Sequence, residues 1–188
     1  MKCQKFTVVK MMMLAVSAAA LLTLAACESN QSTVAMANDP VATGSAGAVS
    51  LSGEHLDDRT RDALREALDD ERHAIAMYRA VMEKFGNVRP FSNIVRAEER
   101  HEAALLRLFR AYRLDVPDDR WADHEFDLPA TLAEACAASA KAEEENIAMY
   151  DRFLEFVDEP SIRTVFQNLR NASADRHLPA FRRCARRR

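Results

Sequence analysis

Two stretches of this chain repeat one another, and this internal repeat restricts the fold more than any other feature of the sequence. The segment ERHAIAMY, which begins at Glu71, matches EEENIAMY, which begins at Glu143, with an offset of 72 residues. The segments FSNI, from Phe91, and FQNL, from Phe166, match with an offset of 75. Each half carries two apolar stripes with steps of three and four residues, which predict two helices. Two similar helical hairpins placed together make a four-helix bundle.

The links between the predicted helices set their arrangement. Gly86-Asn87 ends the first helix, Pro90 opens the second, and a break at 158–160 separates a third helix, from about Thr131 to Val157, from the fourth. Short links within each hairpin predict antiparallel neighbours. Residues 113–128 are numerous enough to cross the bundle from end to end, although an up-down-up-down bundle with a floppy loop stays open. Only 4 Gly and 6 Pro disfavour a turn-rich all-β protein.

Acidic and histidine side chains lie on these stripes where a plain bundle would carry leucine. They are Glu71 on the first stripe, Glu98 and His101 on the second, Glu143 on the third and His177 on the fourth. An unpaired buried carboxylate is costly, so buried acids normally face a partner or a metal. Counted from the turns, these residues can converge in one layer at mid-bundle. The alternatives are a buried ion pair between Glu98 and His101, and a core histidine at 177 that only forms hydrogen bonds.

The motifs that hold these residues resemble a known family. Glu71-x-x-Ala74-x-x-x-Tyr78 and Glu98-x-x-His101, followed by Arg107-Leu108-Phe109, resemble the first helical hairpin of rubrerythrins and other ferritin-like di-iron proteins. Residues 138–140, Glu143 and Met149-Tyr150 resemble their third helix. Residues 56–185 resemble, more closely still, a family of uncharacterised bacterial ferritin-like domains.

The resemblance implies an all-α, antiparallel, ferritin-like four-helix bundle with a crossover connection. It also implies an iron or manganese site, which can be di-iron, formed by Glu71, Glu98, His101, Glu143 and His177. Because ferritin-like domains often dimerise, the resemblance allows a homodimer.

The fourth helix departs from the family pattern. Aligning Phe166 with Phe91 places Ser173 opposite Glu98 and Arg176 opposite His101, so that His177 comes one residue late. Asp175 is acidic but points away from the stripe. A kink at Pro179 or a π-bulge can absorb the extra residue and reorient Asp175 or His177. The set is one carboxylate short, so a single metal, an asymmetric pair and a lost site all remain open.

Two cysteines lie on the stripes of the third and fourth predicted helices. Cys136 lies about as far before the turn at 158–160 as Cys184 lies after it, and both lie on core stripes. In an antiparallel hairpin they stand level, so in an oxidising compartment we predict a disulfide between them. Two buried free thiols are the alternative.

The N-terminus has the layout of an export signal. Three lysines precede the apolar residues 11–26, a run that is short for a membrane span. The run ends in Leu24-Ala25-Ala26-Cys27, which resembles the lipobox of bacterial lipoproteins and implies a lipid anchor on Cys27. Glu28 favours the outer membrane in that class, on its periplasmic face. We therefore predict a signal at 1–27, a flexible linker at 28–54 and one domain at 55–188; an ordinary cleaved signal is the alternative.

The charge of the predicted mature chain excludes one class of partner. Without the three lysines of the signal, 23 basic and 29 acidic residues remain, a net charge of −6. Nucleic-acid binding requires a positive surface, and the arginine run at 182–188 is typical of a solvated helix end.

Two functions stay open. One is metal chemistry, namely metal binding, iron oxidation or peroxide scavenging. The other is a non-catalytic envelope lipoprotein with a degenerate site that acts as a scaffold or interaction module.

Overall fold

The computed structural model describes residues 56–187, and this part of the chain is all-α, with four helices and no strand. The first helix, α1, spans Asp58–Phe85, and α2 spans Phe91–Ala111. After a long connection, α3 spans Leu132–Leu154. The fourth helix consists of α4, Pro160–Ala172, a π-helical segment, Ser173–His177, and α5, Leu178–Ala185. The all-α bundle of four helices that the repeat predicts is thus confirmed.

Local sequence explains where these helices begin and end. Asp57 caps α1 by accepting a hydrogen bond from a backbone N–H of the first turn at 2.7 Å. Gly86 ends α1 with φ at +87°, a conformation that side chains with a β-carbon disfavour. Thr131 and Glu134 form a reciprocal capping box at the start of α3. Pro160 lies in the first turn of α4, where its missing N–H costs no hydrogen bond.

The connection between α2 and α3 lies along α1. Trp121 Nε1 donates a hydrogen bond to Asp69 Oδ1 at 3.0 Å, and its ring contacts that of His73 at 4.5 Å between centroids. Further along, Lys84 Nζ donates to the Leu128 carbonyl at 3.0 Å. At 1.5 Å per residue, these two anchor points on α1 are roughly 22 Å apart. The connection therefore follows α1 for much of its length.

Two apolar clusters fill the interior, with a layer of polar side chains between them. The aromatic members of the first cluster are Phe109, Tyr112, Tyr150, Phe153 and Phe166, and those of the second are Tyr78, Phe91 and Phe181. On α1, the polar layer falls at Glu71, between Leu68 of the first cluster and Ile75 of the second. Burying each large apolar side chain contributes about 1.5–3 kcal/mol, which offsets the cost of burying the polar layer.

The third and fourth helices are joined covalently. Cys136 of α3 and Cys184 of α5 form a disulfide, with their Cα atoms 5.8 Å apart. Val157, where the predicted third helix ends, lies just beyond the end of α3 but is fully buried, because the turn folds back onto the core. This turn and the disulfide mark the two ends of the second hairpin.

Within residues 56–187, no helix combines the length and the apolar character that crossing a membrane requires. The predicted signal segment, the lipid-bearing Cys27 and the linker lie outside the described residues. Their assignment stays a prediction.

Candidate metal centre

The structure brings all five candidate ligands into one buried layer. Glu71 comes from α1, Glu98 and His101 from α2, Glu143 from α3, and His177 from the π-helical segment. The exposure of each residue other than His101 is 2–3%, and the His101 side chain is 12% exposed. Four segments that are distant in sequence thus converge on one point.

Glu98 lies at the centre of this layer. Its Oε2 is 2.7 Å from His101 Nδ1, and its Oε1 is 2.9 Å from His177 Nδ1. On one side, Glu71 Oε2 is 3.2 Å from His101 Nδ1. On the other, Glu143 Oε2 is 3.5 Å from His177 Nδ1. The cluster therefore has two similar halves, each with one histidine and one glutamate, that share the Glu98 carboxylate.

The π-helical segment places His177 in this cluster. The backbone N–H of Leu178 donates to the carbonyl of Ser173, five residues earlier, so this turn contains one residue more than an α-helical turn. The extra residue turns His177 inward, to 3% exposure, although it comes one residue late in the repeat. Asp175 is exposed. Ser173, which the repeat aligns with Glu98, is buried. Neither residue therefore restores the fourth carboxylate.

Two buried tyrosines hold the outer glutamates. Tyr78 donates a hydrogen bond to Glu143 Oε1, and Tyr150 donates one to Glu71 Oε1, both at 2.8 Å. Burial, together with the charges of these glutamates, raises the pKa of both phenols well above its usual value, so they remain donors. The inner oxygens, Oε2, of the same two glutamates face the histidines. Each tyrosine thereby fixes which carboxylate oxygen faces the cluster.

Burial and mutual contact shift the pKa values of the cluster strongly. Burial, together with the charge of Glu98, raises the pKa of Glu71 to about 8. For Glu98, burial works against ionisation, but contacts with His101 and His177 outweigh it and lower the pKa to about 2. Burial likewise opposes charge on the imidazoles, yet the facing glutamates raise the pKa to about 10 for His101 and about 9 for His177. In the metal-free layer, these contacts favour the charged form of both imidazoles, which balances the carboxylates.

The donors of Glu98, His101 and His177 can hold a metal ion. One atom from each of these three residues lies within 4.8 Å of the others. His177 Nδ1 is buried and makes no hydrogen bond of acceptable direction, even though carboxylate oxygens lie 2.9 and 3.5 Å away. A buried ring nitrogen that lies near two carboxylates without a hydrogen bond suits a cation that all three groups bind.

We expect the metal-free protein to lose stability as pH rises. The raised pKa values of His101 and His177 give stability that is complete below pH 6.5 and is lost through about 9 and 10. The pKa of Glu71 is raised from 4.5 to about 8, so its contribution to stability is lost between these two values and overlaps the lower part of the interval. Across the layer, these groups face Glu98, Glu143 and one another, and Glu71 also accepts the hydrogen bond from Tyr150. The Tm of chelator-treated protein should fall between pH 6.5 and 10.

The exposed His124→Ala variant serves as the control for this pH series and should follow the wild-type curve. A Tm that stays level or rises over the interval would show that the imidazoles are neutral in the folded protein.

Two residues of the layer were missed by sequence reasoning. Asn146 Nδ2 donates to Asp70 Oδ2 at 2.7 Å, and Ser173 Oγ donates to Asn146 Oδ1 at 2.8 Å. Burial, and then the charges of nearby glutamates, raise the pKa of Asp70 to about 6 in spite of the Asn146 hydrogen bond. The repeat held a signal for this pair, because the offset of 72 aligns Asp70 with Ala142 and Asn146 with Ala74. Polar side chains thus replace alanine at two positions that face each other.

Comparison with known proteins identifies a similar fold but no matching family. No protein-family model matches the chain, and no curated protein matches it. The crystal structure of hypothetical protein MJ0754 from Methanococcus jannaschii is similar over 69% of this chain and 81% of that one, with a TM-score of 0.63 and 22% sequence identity. At this identity, the similarity shows a shared helical fold alone.

Proposed function

We propose that this protein is a ferritin-like metal-binding protein whose buried layer holds iron or manganese. The observation that carries the proposal is the arrangement around Glu98, where each carboxylate oxygen faces the Nδ1 atom of a different histidine. His101 with Glu71 would hold one cation, His177 with Glu143 would hold a second, and Glu98 would serve both. The carboxylate and imidazole donors, without sulfur, suit iron or manganese.

The ferritin-like topology is part of this proposal. Contacts between α1 and α3 support an antiparallel pair, because Glu66 bonds to Arg152 near one end whereas Tyr78 bonds to Glu143 further along. The long connection that follows α1 supports a crossover. The similarity to another helical protein at a TM-score of 0.63 is compatible with this arrangement.

We further propose that the layer, with metal bound, serves in iron oxidation or peroxide scavenging. A bound iron or manganese ion supplies redox chemistry that none of these side chains has. The chain's own part is to exclude bulk water, to keep the glutamates oriented through Tyr78 and Tyr150, and to exchange imidazolium protons for a cation. A cavity of about 20 Å³ beside the glutamates has room for about one water-sized molecule.

A second candidate function is a scaffold whose site no longer takes metal. The specific observation in its favour is Ser173, buried where the family pattern has its fourth carboxylate and bonded to Asn146. The pairing of protonated histidines with glutamates also lets the layer persist without a cation. In this alternative, the function would lie on the surface of the bundle.

The envelope location and the lipid anchor at Cys27 remain proposals that rest on the N-terminal sequence. A homodimer is likewise a proposal, drawn from the family resemblance. In this scheme, the lipid on Cys27 attaches the protein to the membrane and the linker holds the bundle away from it.

Metal analysis tests the primary proposal. We expect purified mature protein to hold about one to two iron or manganese ions per chain after anaerobic loading. The Glu98→Ala/His101→Ala variant should hold none, because both metal positions lose a ligand. The matched control is Glu99→Ala/Arg100→Ala, which alters exposed residues on the same turn and should bind as wild type does. Wild-type protein that stays metal-free after loading would contradict the proposal and favour the scaffold.

A further inference from the structure

A narrow cavity joins the buried layer to the side of the bundle between α1 and α3. It has a volume of about 20 Å³. At its inner end are the buried Glu71, Glu98 and Glu143, and at its outer end are the half-buried Ala74 and Ala142. Because the two alanines leave space where longer side chains would close it, the cavity gives the layer a path towards the surface.

The bundle axis offers no such path. On one side of the layer, the rings of Tyr78, Phe91 and Phe181 contact one another at 5.0–5.6 Å between centroids, and each is at most 2% exposed. On the other side, Tyr150, Phe153 and Phe166 pack at 5.4–6.1 Å, with equal burial. An ion cannot cross these aromatic layers, so it has to reach the glutamates from the side.

Asp70 lies along this lateral path. It lines the cavity together with the three glutamates, so four carboxylates face one narrow space. Its Oδ2 accepts the hydrogen bond from Asn146, and no described residue donates a hydrogen bond to its Oδ1. Clefts lined by charge of one sign concentrate counter-ions and accelerate their association. The half-buried Asp70 thus offers a free carboxylate oxygen on the way to the layer.

We infer that divalent cations enter the layer between α1 and α3 through this cavity, and that Asp70 binds the ion in transit. The inference rests on the proposed metal function and adds a residue with a kinetic role to it. Asp70 is not one of the final ligands, so its loss should change the rate of loading and leave the final amount of bound metal unchanged. The entry rate of a neutral oxidant through the same cavity would not depend on the charge of Asp70. This difference distinguishes entry of the ion from entry of the oxidant.

The test follows the uptake of cobalt(II) by the metal-free mature protein in a stopped-flow spectrometer, through the visible absorbance of the bound ion. Asp70→Asn removes the charge but keeps an oxygen for Asn146, and it should slow loading by about tenfold or more with the same final absorbance. Ala74→Leu narrows the cavity and should slow loading as well. The matched controls are Glu145→Gln and Ala148→Leu, at exposed positions of α3, which should load at the wild-type rate.

The outcomes distinguish failure of the metal proposal from failure of the entry route and from failure of the role of Asp70. Wild-type protein that takes up no cobalt would overturn the metal proposal and the entry route together. Full uptake at unchanged rates in both Asp70→Asn and Ala74→Leu would overturn the route alone. It would favour entry beside the partly exposed His101. Slow loading of Ala74→Leu with normal loading of Asp70→Asn would overturn the role of Asp70. Helix content by circular dichroism identifies any variant that has lost its fold, and in that event the other variant decides the route.

Discussion

Replacing both Cys136 and Cys184 with alanine is expected to lower the free energy of unfolding by about 4 kcal/mol. The disulfide joins residues 48 positions apart, and cross-linking a loop of that length removes much of the conformational freedom of the unfolded chain. For a domain of this size, the loss corresponds to a fall in Tm of roughly 15 °C. Urea denaturation of the oxidised wild type and of the double variant measures the difference.

Reduction of the wild-type protein provides the control for this measurement, since it breaks the same bond without changing a residue. The reduced wild type and the double variant should have similar stabilities. Alkylation of Cys136 or Cys184 in protein that was never reduced, located by peptide mass, would show free thiols and contradict the prediction. The cysteines also stand two turns from Glu143 and His177 on their own helices, so loss of the bond should weaken the alignment of the fourth helix with the polar layer.

Replacing His177 with alanine is expected to cost the metal-free protein about 3 kcal/mol or more. The imidazole is buried between Glu98 and Glu143, and its charge compensates theirs. Removing one partner from a buried ion cluster leaves the other charges without compensation, which destabilises far more than losing a surface pair does. Chemical denaturation in the presence of a chelator measures the effect.

Two further variants separate charge from packing in this experiment. His177→Gln keeps a hydrogen-bond donor but loses the positive charge, so it should lose most of the same stability. His124→Ala removes an exposed histidine and should stay within about 0.5 kcal/mol of wild type. A cost below about 1 kcal/mol for His177→Ala would mean that His177 does not carry the charge balance of the layer.

The sequence predicts the helices of this protein well because the repeat and the apolar period act locally. Stripes with steps of three and four residues indicate which face of each helix is buried, and Gly86 and Pro160 mark ends that depend on their own backbone chemistry. The same stripes predict that Glu71, Glu98 and Glu143 are buried, since they replace apolar residues. Counting from the turns then suggests that they meet, because residues at equal depth in a bundle share a layer.

Other features depend on contacts that no local pattern contains. The π-helical turn before His177 is one of two alternatives that the sequence leaves open, beside a kink at Pro179, and its contact with Glu98 joins residues 79 positions apart. Asp70 and Asn146 lie at the edge of their stripes, where a polar side chain is unremarkable until its partner is known. The path of the long connection along α1 likewise depends on hydrogen bonds such as that from Trp121 to Asp69.

The hydrogen bonds of the two tyrosines show how the two halves of the chain depend on each other. Tyr78 and Tyr150 are equivalent in the repeat, and so are Glu71 and Glu143. Tyr78 donates a hydrogen bond to Glu143, and Tyr150 donates one to Glu71. Each hairpin therefore supplies the phenol that bonds to the glutamate of the other. This reciprocity is the signature of an isologous interface between identical subunits. The two hairpins are thus related in the way that the halves of such an interface are, and neither hairpin alone supplies the tyrosine that bonds to its own buried glutamate.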